Sequence, residues 1–381
     1  MAVRGKASAW RQAMLIAASI TALSATGAFA QQAGDLTDLG NRVLENPQDA
    51  DLNLQYAAAA EAAGKPRLAL TAYERILIND PTNEAARRGY ERLRREIEPG
   101  YTIARVDVGV LQDSNPRNLY SPYFNTPDST TYYGRLMVAN EHEFFGRRWR
   151  SILNATLEDN QDRDELDYGF IGLQTGPIFH PAPHMAVIPS IGAGAAWVGS
   201  EHYFNEINLG VTLEGRAAGM SYWARARGGY REYDGENFFF FGSIPNDGTY
   251  AELQAGVTKP HLLFERDTLS IEPFWRMSDV SGDIFDFAPG KYDEYGIDVN
   301  YTYQVTDHLQ ASVGALVRRR DFDGYDRTDD YVSPQASLTL QRALPCDCDV
   351  RVQYRRREND SNDFISSYGA DQISLQLTTR F

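Results

Sequence analysis

Long apolar runs and cysteine are both scarce in this sequence, and each shortage restricts what the protein can be. After residue 30 the chain has no stretch with the roughly 18 consecutive apolar residues of a transmembrane helix. Only two cysteines, Cys346 and Cys348, occur among the 381 residues. They stand as C-D-C beside Pro345, and no nearby residues supply the two further ligands of a zinc site. We interpret them as part of a tight turn, where an oxidising compartment would let them close a small ring.

Positive charge and catalytic motifs are scarce as well. Against 52 Asp and Glu the chain has 37 Lys and Arg, a formal net charge of -15, which argues against general affinity for nucleic acid. There is no G-x-S-x-G nucleophile elbow and no phosphate loop. His180 and His184 have the H-x-x-x-H spacing, but Pro181 and Pro183 between them exclude a helix. We therefore expect neither an enzyme nor a bound cofactor or metal.

The amino terminus reads as a secretion signal. Three basic residues precede an apolar segment at residues 13–23, and an A-x-A cleavage site stands at residues 28–30. Residues 1–30 are therefore predicted to be a signal peptide, with a mature chain that starts near Gln31. No cysteine follows the cleavage site, so a lipid-anchored amino terminus is not expected.

Residues 31–98 have a helical period, because alanine, leucine and aromatic residues recur three or four positions apart. Pro47 and Pro81 are 34 residues apart, which is the period of tetratricopeptide (TPR) repeats. The small and aromatic packing positions of such a repeat are matched by Gly64, Ala69, Tyr73, Ile76 and Pro81. The segment is predicted to be a small α-helical, TPR-like domain, and the alternative is a plain helical hairpin that spaces the following domain from the periplasm.

From residue 101 to residue 381 the period changes to two. In the last run, Ile373, Leu375, Leu377, Thr379 and Phe381 alternate with polar residues. Fourteen such runs begin near residues 101, 130, 147, 165, 184, 201, 218, 248, 266, 290, 307, 329, 346 and 368. An even number of antiparallel strands can close without exposing a sheet edge to lipid. The fold class is therefore mainly β: a 14-stranded antiparallel transmembrane β-barrel behind the helical domain.

Connections, aromatic residues and the last residue agree with this fold. Long and short connections alternate, which predicts external loops at one end and periplasmic turns at the other. Phe381 ends an alternating strand and is predicted to be read by the barrel-assembly machinery. The residues expected to form aromatic girdles at the lipid interfaces are Tyr101, Tyr132, Tyr133, Phe144, Phe145, Tyr203, Phe204 and Tyr331.

Charged residues on the polar strand faces are expected to point into a wet lumen, because each would cost about 2 to 4 kcal/mol at mid-depth in hydrocarbon. The predicted lumen charges are Arg225, Arg227, Arg276, Arg318, Arg320, Arg351, Arg355 and Arg357, opposed by Glu252, Glu272, Glu294 and Asp298. They can form a wall that interacts with a passing polar chain, or ion pairs that brace the lumen. In one long connection, residues 238–241 are four consecutive phenylalanines, which can be a binding surface, a plug or an extension of the outer girdle.

The first strand and its loop carry a short motif, in which Asp113, Ser114, Asn115 and Asn118 stand with Pro116 and Arg117 interposed. With the order of signal peptide, TPR-like segment and barrel, this resembles the surface lipoprotein assembly modifiers (Slam), whose barrels open with a D-S-N-x-N element. The resemblance implies an outer-membrane barrel with a periplasmic helical domain that exports client lipoproteins or soluble clients. Its partners would be outer-membrane lipid, the barrel-assembly machinery and the client. The alternatives are a polysaccharide-export porin and a plain diffusion porin.

Overall fold

The computed structural model describes residues 29–97, 100–119, 127–182, 184–234, 247–280, 291–323, 326–344 and 346–381. The chain forms two compact units, divided between residues 98 and 99. The predicted signal peptide, apart from its last two residues, and the four phenylalanines at 238–241 lie outside the described residues.

The amino-terminal unit contains four helices: α1 Phe29–Glu45, α2 Ala50–Ala62, α3 Pro66–Asn79 and α4 Glu84–Ile97. Side chains at the helix starts explain where they begin. Asp49 accepts a hydrogen bond from the Leu52 amide at 3.0 Å, and Asn83 accepts one from the Ala86 amide at 3.0 Å. Pro66 occupies the first position of α3, where its missing N–H costs nothing. In the part of the chain described here, no helix is both long and apolar enough to cross a membrane.

Small residues let these helices approach closely around Tyr73. Ala57, Ala60 and Ala69 are completely buried beside it. The Tyr73 hydroxyl donates to Glu61 Oε1 at 2.7 Å. Burial, and after it this hydrogen bond to a carboxylate, raises the pKa of Tyr73 to about 12.

The five residues expected to pack a TPR repeat have distinct positions in this unit. Ala69, Tyr73 and Ile76 belong to the buried core. Gly64 lies in the turn between α2 and α3 with a φ of 67°, and Pro81 is exposed between α3 and α4. These positions describe a compact helical unit, and its assignment as a TPR repeat stays a prediction.

The second unit is a closed antiparallel barrel. Among the described residues it has fourteen strands, with the fourth interrupted at Ile178. The strands are β1 Tyr101–Asp113, β2 Ser129–Phe144, β3 Arg147–Asn160, β4 Tyr168–Pro177 continued by Phe179–Ala182, β5 Met185–Val198, β6 Glu201–Ala217, β7 Met220–Tyr233, β8 Gly248–Pro260, β9 Asp267–Val280, β10 Tyr292–Gln304, β11 Leu309–Phe322, β12 Arg327–Leu340, β13 Asp349–Ser361 and β14 Tyr368–Arg380. The predicted fold class is confirmed, and each strand begins within about three residues of its predicted start.

Closure occurs where β1 pairs with β14 over nine residue pairs, from Arg105 opposite Arg380 to Asp113 opposite Gln372. Beyond that register, Ala104 and Phe381 exchange two backbone hydrogen bonds of 3.0 and 2.9 Å. Phe381 therefore completes the seam, which gives the terminal residue a structural role beside its predicted role in assembly.

Contacts between strands that are not neighbours identify the inner face. Arg150 on β3 lies 2.6 Å from Glu214 on β6, although β4 and β5 separate these strands. Side chains can meet in this way only on the concave side of the sheet. Large apolar side chains occupy many of the alternate positions, which point outwards, as shown by Ile207 and Leu209, which are 65% and 66% exposed. An apolar outside around a polar inside is the arrangement of an outer-membrane-type barrel.

Tight turns lie at the end of the barrel that also contains Tyr101 and Phe381. Phe145 and Gly146 form one two-residue hairpin connection, and both have positive φ values, 51° and 67°. This is the geometry of the type I′ turn, which matches the twist of the flanking strands. Cys346 and Cys348 lie in the β12–β13 connection at the same end and are joined by a disulfide bond.

Tyr133, Phe204 and Tyr331 were predicted to be girdle aromatics but face the inside instead. Tyr133 on β2 donates to Gln376 on β14 at 3.3 Å, across β1, so it lies on the concave face. Phe204 and Tyr331 are buried beneath the guanidinium groups of Arg231 and Arg318, 4.9 and 4.4 Å from the ring centres. The prediction was wrong for these residues because an aromatic ring can be stabilised by arginine in the lumen as well as by lipid.

Candidate functional site

The inner wall of the barrel collects the charged residues that the strand pattern singled out. They lie on the same face as the cross-barrel contacts, and the register places many of them opposite one another. Arg276, for example, is paired in register with both Glu252 and Glu294. The predicted residues at inward positions are Arg225, Arg227, Arg276, Arg318, Arg320, Arg351, Arg355, Arg357, Glu252, Glu272, Glu294 and Asp298.

Glu294 on β10 is the centre of one ion-pair cluster. It is completely buried, and its carboxylate lies 3.0 Å from Arg276, 3.1 Å from Arg318 and 2.7 Å from Arg320. The three arginines come from the two strands that flank β10. Because three guanidinium groups surround one carboxylate, the cluster braces neighbouring strands and still carries excess positive charge.

A second cluster surrounds Glu206 on β6. Arg231 lies 3.0 Å from its carboxylate, and Arg227 reaches both Glu206 at 3.7 Å and Glu252 at 2.8 Å. Glu206 and Arg231 were not among the predicted lumen charges. Arg231 follows Arg227 by four positions on the same strand, so the period of two places both on one face and could have identified it.

Arg150 on β3 connects strands that are not neighbours in the sheet. Its guanidinium binds Glu141 on β2 at 2.8 Å and Glu214 on β6 at 2.6 Å. Nothing in the local pattern of β3 indicates the second contact, because β4 and β5 lie between the partners.

The motif after β1 forms a clamp at the closure of the barrel, which we call the seam clamp and define as Asp113, Ser114, Asn115 and Asn118. The Asp113 carboxylate accepts hydrogen bonds from Arg357 on β13 at 2.7 Å and from Gln372 on β14 at 2.8 Å. Ser114 Oγ accepts one from the Asp371 amide at 2.8 Å. These contacts connect the first strand with the last two.

The other two residues of the seam clamp complete this connection. Asn115 is buried, and its side-chain amide donates to the carbonyl groups of Leu119 at 2.8 Å and Gly369 at 3.2 Å. Asn118 adopts a φ of 57° and accepts a hydrogen bond from Arg357 at 2.9 Å. The geometry therefore gives the motif a role in closing the barrel.

Three of the predicted arginines lack a carboxylate partner among the described residues. Arg225 lies over the Trp223 ring at 5.6 Å, Arg351 donates to Thr339 Oγ1 at 3.2 Å, and Arg355 donates to Gln335 Oε1 at 3.0 Å. Unneutralised charge of this kind is stable on a protein wall only where water or a polar solute contacts it.

Two carboxylates on the same wall also lack an arginine partner in the described part of the chain. Glu272 and Asp298 stand directly opposite each other on β9 and β10. Within those residues no group of three His, Cys, Asp or Glu side chains is arranged to hold a metal ion. The wall thus offers both positive and negative side chains to solutes.

The chain is similar to one family model and to several solved structures. A family described as "Putative beta-barrel porin 2" matches residues 289–381, less than half of the chain. No curated protein matches the sequence. Among solved structures, the chain is similar to the outer membrane channel DcaP of Acinetobacter baumannii, with 9% identity, a TM-score of 0.45, and 74% of this chain and 97% of that chain covered.

Two further solved structures are similar at a comparable level of identity. A loop-deletion mutant of OmpT of Vibrio cholerae has 10% identity and a TM-score of 0.43, with 74% of this chain and 100% of that chain covered. OpdQ of Pseudomonas aeruginosa has 8% identity and a TM-score of 0.36, with 75% of this chain and 99% of that chain covered. Because identities and scores are this low, the function has to be inferred from the residues of this chain. Its own strand order and side-chain faces show a closed antiparallel barrel of the outer-membrane type.

Substitution in the seam clamp is expected to weaken barrel closure. Asp113→Asn leaves the poorly exposed guanidinium of Arg357 without its carboxylate, and we expect a loss of about 2 kcal/mol. The measurement is the temperature at which the barrel loses its compact mobility in an SDS gel. Asp330→Asn, which removes an exposed carboxylate outside the barrel, is the control. Equal transition temperatures for wild type and Asp113→Asn would refute the assigned role.

Glu294→Gln is expected to destabilise the barrel by about 3 kcal/mol, because it leaves three converging arginines without their shared negative charge. Urea titration of the protein in detergent micelles measures the free energy of unfolding. Glu358→Gln is the matched control, since Glu358 pairs with Arg356 but is largely exposed, and we expect a change within about 0.5 kcal/mol. The cluster has no bracing role if the two variants lose the same stability.

Proposed function

We propose that the barrel is a passive outer-membrane channel for polar and charged solutes. The observation that carries this proposal is the set of charges on the inner wall that form no ion pair among the described residues: Arg225, Arg351, Arg355, Glu272 and Asp298. A charge buried in a dry interior without a partner would be strongly destabilising. These side chains therefore require water in the lumen.

The number of strands supports the same proposal. Barrel diameter grows with strand number, so that barrels of about eight strands are filled by their own side chains and those of about 16 to 18 leave an aqueous channel. With fourteen strands this barrel is much nearer to the second case. The polar inner face and apolar outer face match such a channel.

The proposed location is the outer membrane, with the tight turns and the helical unit in the periplasm. The predicted signal peptide supports export, and the closed barrel with its apolar outside supports insertion into that membrane. The placement of the helical unit rests on Tyr101, which begins β1 at the end of the barrel where the tight turns lie.

Purified full-length protein in a planar lipid bilayer is expected to produce stepwise conductance that increases in proportion to the KCl concentration, because a wet lumen conducts like bulk electrolyte. Liposome swelling with sugars of increasing size measures the width of the channel. Protein unfolded by heat, from the same preparation, is the control. Protein that is folded by its compact SDS-gel mobility, yet neither conducts nor admits sugars, would exclude the channel.

Export of client proteins is a second candidate, favoured by the surface of the helical unit. Leu44 and Ile78 are 77% and 75% exposed, although both are large apolar side chains. Binding of an unfolded or lipidated client would remove such apolar side chains from water, which is favourable. In this proposal the helical unit receives the client in the periplasm and the barrel assists its passage to the surface.

The export proposal predicts that Leu44→Ser combined with Ile78→Ser lowers surface display of a co-expressed lipoprotein that carries a lipobox, while channel conductance is unchanged. Protease treatment of intact cells measures the displayed fraction. Thr71→Ser, an exposed change on α3, is the control. Display that persists after deletion of the whole gene would exclude export, and loss of a surface polysaccharide instead would favour sugar export.

A further inference from the structure

A polar cavity of about 190 Å³ lies in the inner wall of the barrel, between four consecutive strands. Hydroxyl, amide and guanidinium groups dominate its lining. The side chains used below are Asn300 on β10, Ser312 on β11, Gln335 on β12, and Arg351, Gln353 and Arg355 on β13. The cavity is of a size for one small solute, and its donors come from the wall of the proposed channel.

The charge of the cavity is positive. Arg351 and Arg355 project from the same face of β13 and have no carboxylate partner among the described residues. Nearby charges of the wall are already balanced, since Arg105 pairs with Asp107 at 2.9 Å and Arg380 with Asp349 at 2.8 Å.

Asp298 is an inward carboxylate on β10, the strand that supplies Asn300, and its charge interacts with that of Arg355, although the two side chains form no ion pair among the described residues. Even when Asp298 is counted against them, two guanidinium groups face one carboxylate. An anion is therefore the ligand whose charge the cavity complements.

Neutral groups hold the two guanidinium groups in place without consuming their charge. Gln335 Oε1 accepts hydrogen bonds from Arg355 at 3.0 Å and from Gln353 at 2.6 Å, while Thr339 Oγ1 accepts one from Arg351 at 3.2 Å. Each of the two arginines uses one of its five N–H donors in these contacts. The remaining donors form the planar fork that matches a carboxylate.

We infer that this cavity binds a small hydroxylated carboxylate, such as a sugar acid, as it passes through the barrel. The guanidinium groups of Arg351 and Arg355 supply the positive charge that attracts the carboxylate, and Asn300, Ser312 and Gln353 supply donors and acceptors for hydroxyl groups. The wall carries little apolar surface here, so an aromatic acid would gain less from it than a polyhydroxylated one. This inference rests on the proposed channel function and names its solute.

Glucuronate, the probe, is expected to reduce the KCl current through full-length protein in a planar bilayer, whereas glucose at the same concentration is not. In Arg355→Gln and in Arg351→Gln, the half-blocking concentration of glucuronate is expected to rise about tenfold, because each loses a charge-assisted contact to the carboxylate. Arg135→Gln is the matched control, since Arg135 is an inward arginine paired with Glu158 at 3.2 Å outside the cavity. Its half-blocking concentration is expected to stay within about twofold of wild type.

Each result decides a separate question. Absence of conductance in the folded wild type would overturn the channel, whereas conductance without glucuronate block would overturn only the cavity assignment. Equal block by acetate and glucuronate would show that the cavity does not recognise the hydroxyl groups of the ligand. An equal effect of Arg135→Gln would show that the anion is attracted by the overall positive potential of the lumen and not by this cavity. Should the arginine variants fail to fold, Gln335→Leu removes the acceptor that holds Arg355 and is expected to weaken the block as well.

Discussion

Closure of the sheet is the constraint on which the rest of this barrel depends. In hydrocarbon every backbone N–H and C=O must find a partner within the protein, and an open edge strand would leave a row of them unpaired. Here β1 and β14 remove that edge by pairing with each other. Closure also gives the sheet an inner face and an outer face. Because side chains alternate between the two faces, successive residues of each strand contact water and lipid in turn.

The seam clamp shows how much of the polar structure serves closure. Asp113 ends the paired register of β1 and Asn115 stands just beyond it, where the backbone leaves the sheet and the pairing would otherwise fray. Their side chains continue the connection to β13 and β14. Closure of the barrel is therefore a sufficient physical reason for this motif, although the motif also resembles that of an export family. The export role is a proposal that the helical unit supports.

Some charged residues of the inner wall hold neighbouring strands together, and others are available to contact a solute. Around Glu294 and Glu206, arginines from neighbouring strands converge on buried carboxylates and hold the wall together. At Arg351 and Arg355 the partners are neutral oxygens, so positive charge remains for a solute. Both arrangements use arginines on the inner face of the strands. They differ in the group that the adjacent strand places opposite the arginine, which is a carboxylate in one case and a neutral oxygen in the other.

From the sequence alone, the number of strands, their approximate bounds and the inward face of the charged residues could be predicted, because alternation is a local property of each strand. Ile373 and Leu375 must share one face whatever the neighbouring strands do. Only the tertiary structure decided which charges meet, since register and curvature bring Arg150 to Glu214 across two intervening strands. It also decided that Phe204 and Tyr331 lie under arginines rather than against lipid, because hydrophobicity alone does not distinguish these two environments for an aromatic ring.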